Sequence, residues 1–270
     1  MSIITLLTDF GTGTEYAGLM KGVILSINPS AAIVDITHQI APQDLMAAAY
    51  RIQAAYRFFP KDTVHVVVVD PGVGSSRAIV ALRVQDHTFV APDNGVLSLV
   101  IEGHPVDRLV NVTNDRFFLK PLSDTFHGRD IMAPVAAHLS RGTDLGRLGP
   151  ALSVENLTGL PMMRAGINAE GVLEGSVILS DHFGNLITNI DTAAFDTLKA
   201  RCKDCEIDVM IAQHRIRGLS RSYADVPPHQ PLAIMGSKGF LEIAVNRGRA
   251  DSYFKAAQGD TVYLSPRITR

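Results

Sequence analysis

An acid and an arginine flank a glycine-rich turn that directly follows a run of valines. The stretch VHVVVVDPGVGSSR carries Asp70 at the end of the run and Arg77 one short loop later. A run of mostly β-branched residues predicts a strand buried on both faces, as in a parallel sheet covered by helices. Ligands of such sheets bind beyond the carboxyl ends of the strands. Asp70 and Arg77 are therefore candidates for a charged site, although Asp-Pro-Gly is also an ordinary turn in which the acid is only a cap.

Further acids and histidines follow other predicted strands of the first half. Asp9 and Asp35 end the first two strands, and His38 and His127 lie in loops after strand-like segments. If they converge, they could bind a divalent ion that activates water, or form a metal-free site that positions water or substrate hydroxyls. HxH and HxxxH spacings are absent, which favours the metal-free interpretation. Turn capping and local hydrogen bonds explain Asp35 and His38 equally well.

The stretch TFHGRD places an aromatic residue and a histidine before a predicted helix. Asp130 lies in the first turn of that helix, where a carboxylate complements exposed backbone N–H groups. Gly128 lets the backbone approach a ligand closely, and Phe126 offers a face on which a purine or ribose stacks. Taken alone, the stretch is equally well a loop before a helix.

The second half contains two polar clusters. Residues 180–189, SDHFGNLITN, combine Asp181 and Asn185 with the aromatic Phe183. An aspartate accepts a hydrogen bond from an amino group and an asparagine both donates and accepts, but Asp, Gly and Asn also build β-turns. Residues 237–247, SKGFLEIAVNR, form the second cluster, on both sides of a predicted strand.

Composition limits the classes of function. The chain has 270 residues and a formal net charge of −2, so we expect no general attraction to nucleic acid or to an anionic membrane. No apolar run approaches the roughly 20 residues of a membrane span, and the N-terminus lacks the features of a signal peptide, so we expect a cytoplasmic protein. The usual phosphate-binding and serine-nucleophile motifs are absent. Cys202 and Cys205 lack a second ligand pair, which favours two reduced cysteines over a zinc or redox site.

The periodicity predicts a different scaffold for each half. In the first half, strands and helices alternate, which is typical of a doubly wound α/β sheet with helices on both faces. We expect strands at 3–7, 31–36 and 64–69, a hairpin of 79–84 and 88–91, and helices at 15–27, 45–59, 96–102 and 129–141.

The second half is predicted to be all-β. Short strands at 171–179, 207–211, 214–216, 232–235, 240–245 and 261–264, separated by Gly, Pro and Asn turns, predict a small β-barrel or sandwich. We place an N-terminal α/β domain at residues 1–150, a linker rich in glycine and proline at 151–170, and the C-terminal domain at 171–270.

In this order, the segments resemble the SAM hydroxide adenosyltransferase family, relatives of the fluorinase and chlorinase enzymes. The matching stretches span nearly the whole chain: TDFGTGTEYAGLMKGVI, DITHQIAP, VVVVDPGVGSSR, APDNGVL, TFHGRD, SDHFGNLITNI and GSKGFLEIAVNRG. The resemblance implies a Rossmann-like N-terminal domain with a mostly parallel sheet, a smaller C-terminal β-barrel domain, and a homotrimer that binds S-adenosyl-L-methionine between neighbouring subunits. It implies cleavage of that substrate to adenosine and L-methionine, with no cofactor or metal.

The resemblance also implies roles for individual residues. Asp70, Arg77 and His127 correspond to the family's water-handling triad, and Asp9 to the residue that binds the ribose hydroxyls. The remaining implied contacts are Asp181, Asn185 and Ser237, with Phe183 nearby, for the methionine portion, and the ring of Tyr223 with the backbone around Asn246 and Arg247 for adenine.

Several positions depart from the relatives. Gln43 stands where halogenating enzymes carry a tryptophan beside the ribose, and Gly128 where the fluorinase has a halide-binding serine. Lys238 stands where some relatives carry arginine, and the fluorinase's extra loop before APDNG is missing. These departures, together with the intact set of Asp70, Arg77 and His127, weigh against fluorination. A chlorinase-like adenosyltransferase and a non-catalytic protein that binds adenosine or S-adenosyl-L-methionine are the alternatives.

Overall fold

The computed structural model describes residues 2–161, 164–202 and 205–268. The chain divides into two compact units, Met1–Leu160 and Pro161–Arg270, and the point of division falls inside the segment 151–170. In the described residues, no helix is both long enough and apolar enough to cross a membrane.

The first unit is built on a six-stranded mixed sheet. Its strands are β1 (Ile3–Thr8), β2 (Ala32–Thr37), β3 (Val64–Val68), β4 (Ile79–Val84), β5 (His87–Pro92) and β6 (Val106–Asn111). They follow the order β2-β1-β3-β5-β4-β6. The strands β2, β1, β3 and β5 are parallel, whereas β4 runs antiparallel to both of its neighbours. The predicted α/β class and the β4–β5 hairpin are confirmed; β6 escapes prediction because Asp107 and Arg108 interrupt its apolar residues.

Helices enclose the parallel part of this sheet. They are α1 (Tyr16–Ile27), α2 (Leu45–Ala55), α3 (Ser98–Ile101) and α4 (Ala133–Ser140). All five residues of β3 are buried, as the valine run predicts, and Val66 and Val68 share a core with Met20 of α1 and Ala136 of α4. A π-helical turn, Gly128–Met132, leads into α4, so the helix predicted from 129 is irregular where it starts.

The second unit is an antiparallel sheet that is nearly closed into a barrel. Its strands are β7 (Gly166–Ile167), β8 (Leu173–Ser180), β9 (Leu186–Asp191), β10 (Cys205–Ile211), β11 (His214–Arg217), β12 (Pro231–Met235), β13 (Phe240–Val245) and β14 (Thr261–Ile268), with the helices α5 (Thr192–Ala200) and α6 (Ala250–Phe254). The order is β11-β10-β14-β8-β9-β13-β12, and β7 pairs with β8. The two edges approach each other after β11, where the Ser220 backbone N–H donates to the Ala233 carbonyl at 2.8 Å.

The second unit contains a strand and a helix that were not predicted, and one expectation about it is wrong. Residues 186–189, assigned to a polar cluster, form most of β9, and α5 follows it directly. The structure joins Cys202 and Cys205 as a disulfide, not as two reduced cysteines.

Candidate active site

Asp70, Arg77 and His127 form one hydrogen-bonded cluster just beyond the carboxyl end of β3. The Arg77 Nε donates to Asp70 Oδ1 at 2.7 Å, and its Nη2 donates to Asp70 Oδ2. The same Nη2 lies 3.0 Å from His127 Nδ1. The side chains of Asp70 and Arg77 are 5% and 10% exposed, so this ion pair is shielded from bulk water. The arginine therefore joins the two other members of the predicted triad.

The loop from Asp70 to Arg77 is held by its own backbone and by its neighbours. The Val73 N–H donates to the Asp70 carbonyl at 3.2 Å, and Asn94 Nδ2 donates to the Val69 carbonyl at 2.9 Å. Gly74 has a φ of +79°, and a Cβ there would lie 2.5 Å from the Asp124 carbonyl oxygen. Only glycine combines this conformation with so close an approach. The loop that carries Arg77 thus packs directly on the loop that leads to His127.

Asp130 braces the second loop. It is fully buried, accepts the Ser123 N–H at 2.8 Å, and receives both Nε and Nη2 of Arg129 at 2.6 and 2.9 Å. Asp130 lies in the first turn of Gly128–Met132 as predicted, but its side-chain hydrogen bonds do not go to the helix N–H groups. Its partners are the preceding loop and its neighbouring arginine, which stabilise the approach to His127.

The surroundings of His127 favour a neutral imidazole. Burial lowers its pKa below the usual range and the charge of Arg77 lowers it further, against the opposing carboxylates of Asp70, Asp124 and Asp130. A guanidinium only donates, so Nδ1 accepts from Arg77 and the proton of the neutral ring lies on Nε2. His127 consequently presents an N–H donor.

Asp9 lies at the end of β1 and is held by a residue that the sequence did not single out for this role. Its Oδ2 accepts the backbone N–H of Gln43 at 2.9 Å, and Gln43 adopts a φ of +67°. The adjacent Phe10 contacts Phe126 edge to face, with ring centroids 5.7 Å apart. Since Phe126 precedes His127, this contact brings the Asp9 segment and the triad segment together.

An aromatic cluster forms the wall between these segments. The Tyr16 ring lies 5.6 Å from Phe10 and 5.3 Å from Phe126, both edge to face. The Arg129 guanidinium lies 5.1 Å from the Phe126 ring centroid, which adds a cation–π contact. Phe126 is thus fixed from two sides while remaining partly exposed.

Asp35 and His38 form a separate pair. Asp35 lies within β2, opposite Leu6, and accepts from Lys21 at 2.5 Å. His38 Nε2 lies 3.1 Å from Asp35, and its Nδ1 lies 2.9 Å from Thr8 Oγ1. Burial alone would raise the pKa of Asp35, but the hydrogen bonds from Lys21 and His38 outweigh it and the pKa is lowered. Local partners therefore account for both groups.

In the second unit, Asp181 organises the turn that joins β8 to β9. Its Oδ1 accepts the backbone N–H groups of Phe183 and Asn185, each at 2.9 Å, and its Oδ2 accepts from Asn185 Nδ2 at 3.1 Å. Asn185 is buried and the Phe183 ring is 72% exposed. The turn alternative for this stretch is thus realised, and it presents one aromatic ring to solvent. Arg249 packs on the turn and donates to the His182 carbonyl at 3.1 Å.

Tyr223 has a partner that sequence reasoning missed. Its hydroxyl donates to Glu242 Oε2 at 2.7 Å. Glu242 lies inside β13 and is 7% exposed. Burial and the adjacent Glu242 raise the pKa of Tyr223 well above its usual range, and Asp181 adds to the same effect. An acid at the centre of an otherwise apolar strand, FLEIAV, is the signal that would have indicated a buried polar partner.

The other predicted residues of this unit lie at two turns around β13. Ser237 and Lys238 lie between β12 and β13, in a turn closed by the hydrogen bond from Gly239 N to the Gly236 carbonyl at 2.9 Å. Asn246 and Arg247 follow β13, and Asn246 Nδ2 donates to the Val226 carbonyl at 2.7 Å. Ser237 and Arg247 are exposed. Within the described ranges, no group of three or more His, Cys, Asp or Glu residues could hold a metal ion.

Comparison with known families decides the relationship. The model of the SAM hydroxide adenosyltransferase N-terminal domain matches residues 4–149, and that of the C-terminal domain matches residues 175–263. The chain belongs to the SAM hydroxide adenosyltransferase family. The resemblance carried by the seven sequence stretches is therefore confirmed.

Curated relatives and solved structures are similar to this chain over most of its length. An (R)-S-adenosyl-L-methionine hydrolase from Thermus thermophilus is 36% identical over 98% of this chain and 100% of the relative. A fluorinase from an Actinoplanes species is 32% identical over 70% of this chain and 71% of its own. The crystal structure of an uncharacterized conserved protein from Thermotoga maritima superposes with a TM-score of 0.89 and 39% identity, covering 97% of this chain and 99% of that one.

Proposed function

We propose that this protein hydrolyses S-adenosyl-L-methionine to adenosine and L-methionine by attack of water or hydroxide on the ribose C5′. The observation that carries the proposal is the shielded cluster in which Arg77 joins Asp70 to His127. The activity for which the Thermus thermophilus relative is named, in a protein that aligns with 98% of this chain, supports the same reaction.

The reaction suits a site built from these groups. A C5′–O bond forms in line as the C5′–S bond breaks, the electron pair goes to the sulfonium sulfur, and neutral methionine leaves. One proton of the attacking water is released. Because the leaving group is already activated by its positive charge, the step requires neither a general acid nor a metal ion. Orientation of the reactants and electrostatic stabilisation are the tasks left to the protein.

We assign the triad the following division of work. The N–H on His127 Nε2 donates to the water oxygen and orients it. Arg77 favours hydroxide character in that water. Asp70 retains lone pairs beyond those that Arg77 uses, so it is the member with capacity to accept the proton.

The substrate contacts are proposals of the same kind. Asp9 binds the ribose hydroxyls, and Phe126 packs on the ribose or purine. For the rest of the substrate we assign Asp181, Asn185 and Ser237, with Phe183 nearby, to the methionine portion, and the Tyr223 ring and the backbone of Asn246 and Arg247 to adenine. Lys238 is a further candidate for the methionine carboxylate.

We also propose the finer architecture that the family resemblance implies. It comprises a Rossmann-like N-terminal domain, a C-terminal β-barrel, and a cytoplasmic homotrimer that binds the substrate between neighbouring subunits, with no nucleic acid or membrane partner. Three large apolar residues of α1, Tyr16, Leu19 and Leu25, are each 43–44% exposed, which supports burial of part of this helix on association. Sedimentation equilibrium tests the trimer, and a monomeric mass at assay concentration would contradict it.

Product analysis in ¹⁸O-labelled water tests the reaction. We expect adenosine with label in the 5′-hydroxyl, in the presence of chloride, fluoride or excess EDTA. Asp70→Asn and His127→Ala should abolish most turnover, whereas Asp86→Asn, at an acid paired with Lys61 on the surface, should leave it unchanged. A 5′-halo-adenosine product would indicate a halide-using transferase. Tight adenosine binding without turnover would indicate a binding protein, and loss of activity with EDTA would indicate a metal enzyme.

A further inference from the structure

Glu242 is a buried acid with no part in the proposed bond-breaking step. It lies in the middle of β13, paired with Ile234 of β12 and Ile187 of β9, and is 7% exposed. Burying a carboxylate is costly unless it is hydrogen-bonded. Its Oε2 accepts the Tyr223 hydroxyl at 2.7 Å. The cost of burying this carboxylate within a strand indicates that its pair with Tyr223 has a role.

The backbone at Tyr223 is ordered by contacts other than the hydrogen bond to Glu242. Tyr223 opens a 3₁₀ turn, Tyr223–Asp225, whose start is closed by a capping box between Ser222 and Asp225. The backbone is therefore set, and the remaining freedom of the side chain is the position of the ring. The hydrogen bond to Glu242 fixes that position while 42% of Tyr223 stays exposed. The ring is thus held in place with a face available for stacking.

The other side of Glu242 fixes a turn. Its carboxylate group lies directly against the Cα of Gly236, in the space that a Cβ at that position would occupy. Gly236 opens the turn that carries Ser237 and closes it through the hydrogen bond from its N–H to the Phe240 carbonyl at 2.8 Å. The carboxylate of Glu242 therefore lies between the Tyr223 ring and the Ser237 turn.

We infer that Glu242 is a positioning residue that sets the distance between the Tyr223 ring and the Ser237 turn, and so selects a ligand that carries a purine and an amino-acid carboxylate together. The inference rests on the proposed function, in which Tyr223 stacks on adenine and Ser237 binds the methionine carboxylate. Glu242 itself touches neither end of the substrate in this arrangement. It acts through the two elements that do.

The test distinguishes loss of the hydrogen-bond acceptor at position 242 from a change in side-chain volume. Glu242→Leu removes the acceptor, Glu242→Gln keeps one, and Tyr223→Phe removes the donor but keeps the ring. Binding of adenosine and of L-methionine is measured by calorimetry, together with kcat and KM for S-adenosyl-L-methionine. Glu174→Leu, at a strand glutamate of β8, is the matched control.

Removing a hydrogen bond to a charged group corresponds to a loss of about tenfold in affinity. We expect Glu242→Leu to weaken both ligands and raise KM by about tenfold with kcat within twofold, and Glu242→Gln and Glu174→Leu to stay near wild type. Tyr223→Phe should weaken adenosine alone, and combining it with Glu242→Leu should add nothing further for adenosine.

The outcomes distinguish the two proposals. If the wild type converts the substrate but Glu242→Leu changes only the melting temperature, or if the two substitutions are additive, Glu242 is merely structural and the inference fails while the function stands. If the wild type binds neither adenosine nor methionine, both proposals fail.

Discussion

Gly74→Ala is a substitution for which the structure predicts a large loss of activity from a single methyl group. A Cβ at this position would lie 2.5 Å from the Asp124 carbonyl oxygen, whereas unstrained carbon–oxygen contacts lie at about 3.3 Å or more. One of the two loops must therefore move by roughly 0.8 Å. Misplacement on the order of 1 Å in a catalytic arrangement costs about a hundredfold in rate. We expect kcat to fall by about that factor with KM within twofold, since the displaced group orients water.

Backbone strain alone has to be separated from this displacement. Gly74 has a φ of +79°, and an alanine in that region costs about 1–2 kcal/mol. Gly103 has a φ of +71°, and nothing lies within 4 Å of the position that a Cβ would take there, so Gly103→Ala carries the strain without the collision. Gly74→Ala should lose at least as much stability as Gly103→Ala in urea denaturation, but only Gly74→Ala should lose kcat in the adenosine assay. Equal kcat values for the two variants would refute the argument that the loop contact sets the triad.

Titration and packing give further expected outcomes. Because burial and Arg77 lower the pKa of His127, the acid limb of kcat/KM should lie below pH 6.5, and Arg77→Gln should move it upward; an unmoved limb would contradict this. Burial lowers the pKa of the His65 imidazole to about 3. Below about pH 6.5 the unfolded chain therefore binds more protons at this site than the folded chain does, and the free energy of unfolding decreases as the pH falls towards 3. At pH 5 the expected loss in the free energy of unfolding is about 2 kcal/mol. In urea titrations, His65→Gln should flatten this pH dependence, whereas His214→Gln, at an exposed histidine, should not. Gly128→Ser, whose Cβ would lie 3.1 Å from a valine methyl of β3, should lose about 1–3 kcal/mol of unfolding free energy and gain no 5′-halo-adenosine by chromatography.

The parts of the fold that were predictable are those with a local signal. The valine run can be recognised as a buried strand without knowledge of its neighbours, because consecutive apolar residues alone predict burial on both faces. The β4–β5 hairpin is likewise local. By contrast, β9 carries Asn189 in its interior, and this side chain accepts the Ser176 N–H at 2.7 Å across the neighbouring strand. From the sequence alone, an asparagine whose side chain bonds the backbone of the neighbouring strand cannot be distinguished from a ligand-binding residue.

In the candidate site, too, some residues could be identified from the local sequence and others could not. Asp70 and Arg77 could be singled out because they follow a buried strand, whereas His127 was joined to them only by the family resemblance. The contacts of Asp130 with Ser123 and of Glu242 with Tyr223 could not be predicted, since they depend on how the intervening loops fold. For α5, a usable signal was present: Asp191 caps the helix by accepting the Ala194 N–H at 2.7 Å, and the sequence DTAAF suits such a start.

Two aspartate turns of similar composition show why local sequence could not decide between capping and chemistry. In DHFGN, the Asp181 carboxylate accepts backbone N–H groups of its own turn. In DPGVG, the Val73 N–H goes to the backbone carbonyl of Asp70 instead, and the Asp70 carboxylate is engaged by Arg77. The arginine seven residues on then holds the carboxylate at the end of β3, where it is shielded from water and bridged to His127.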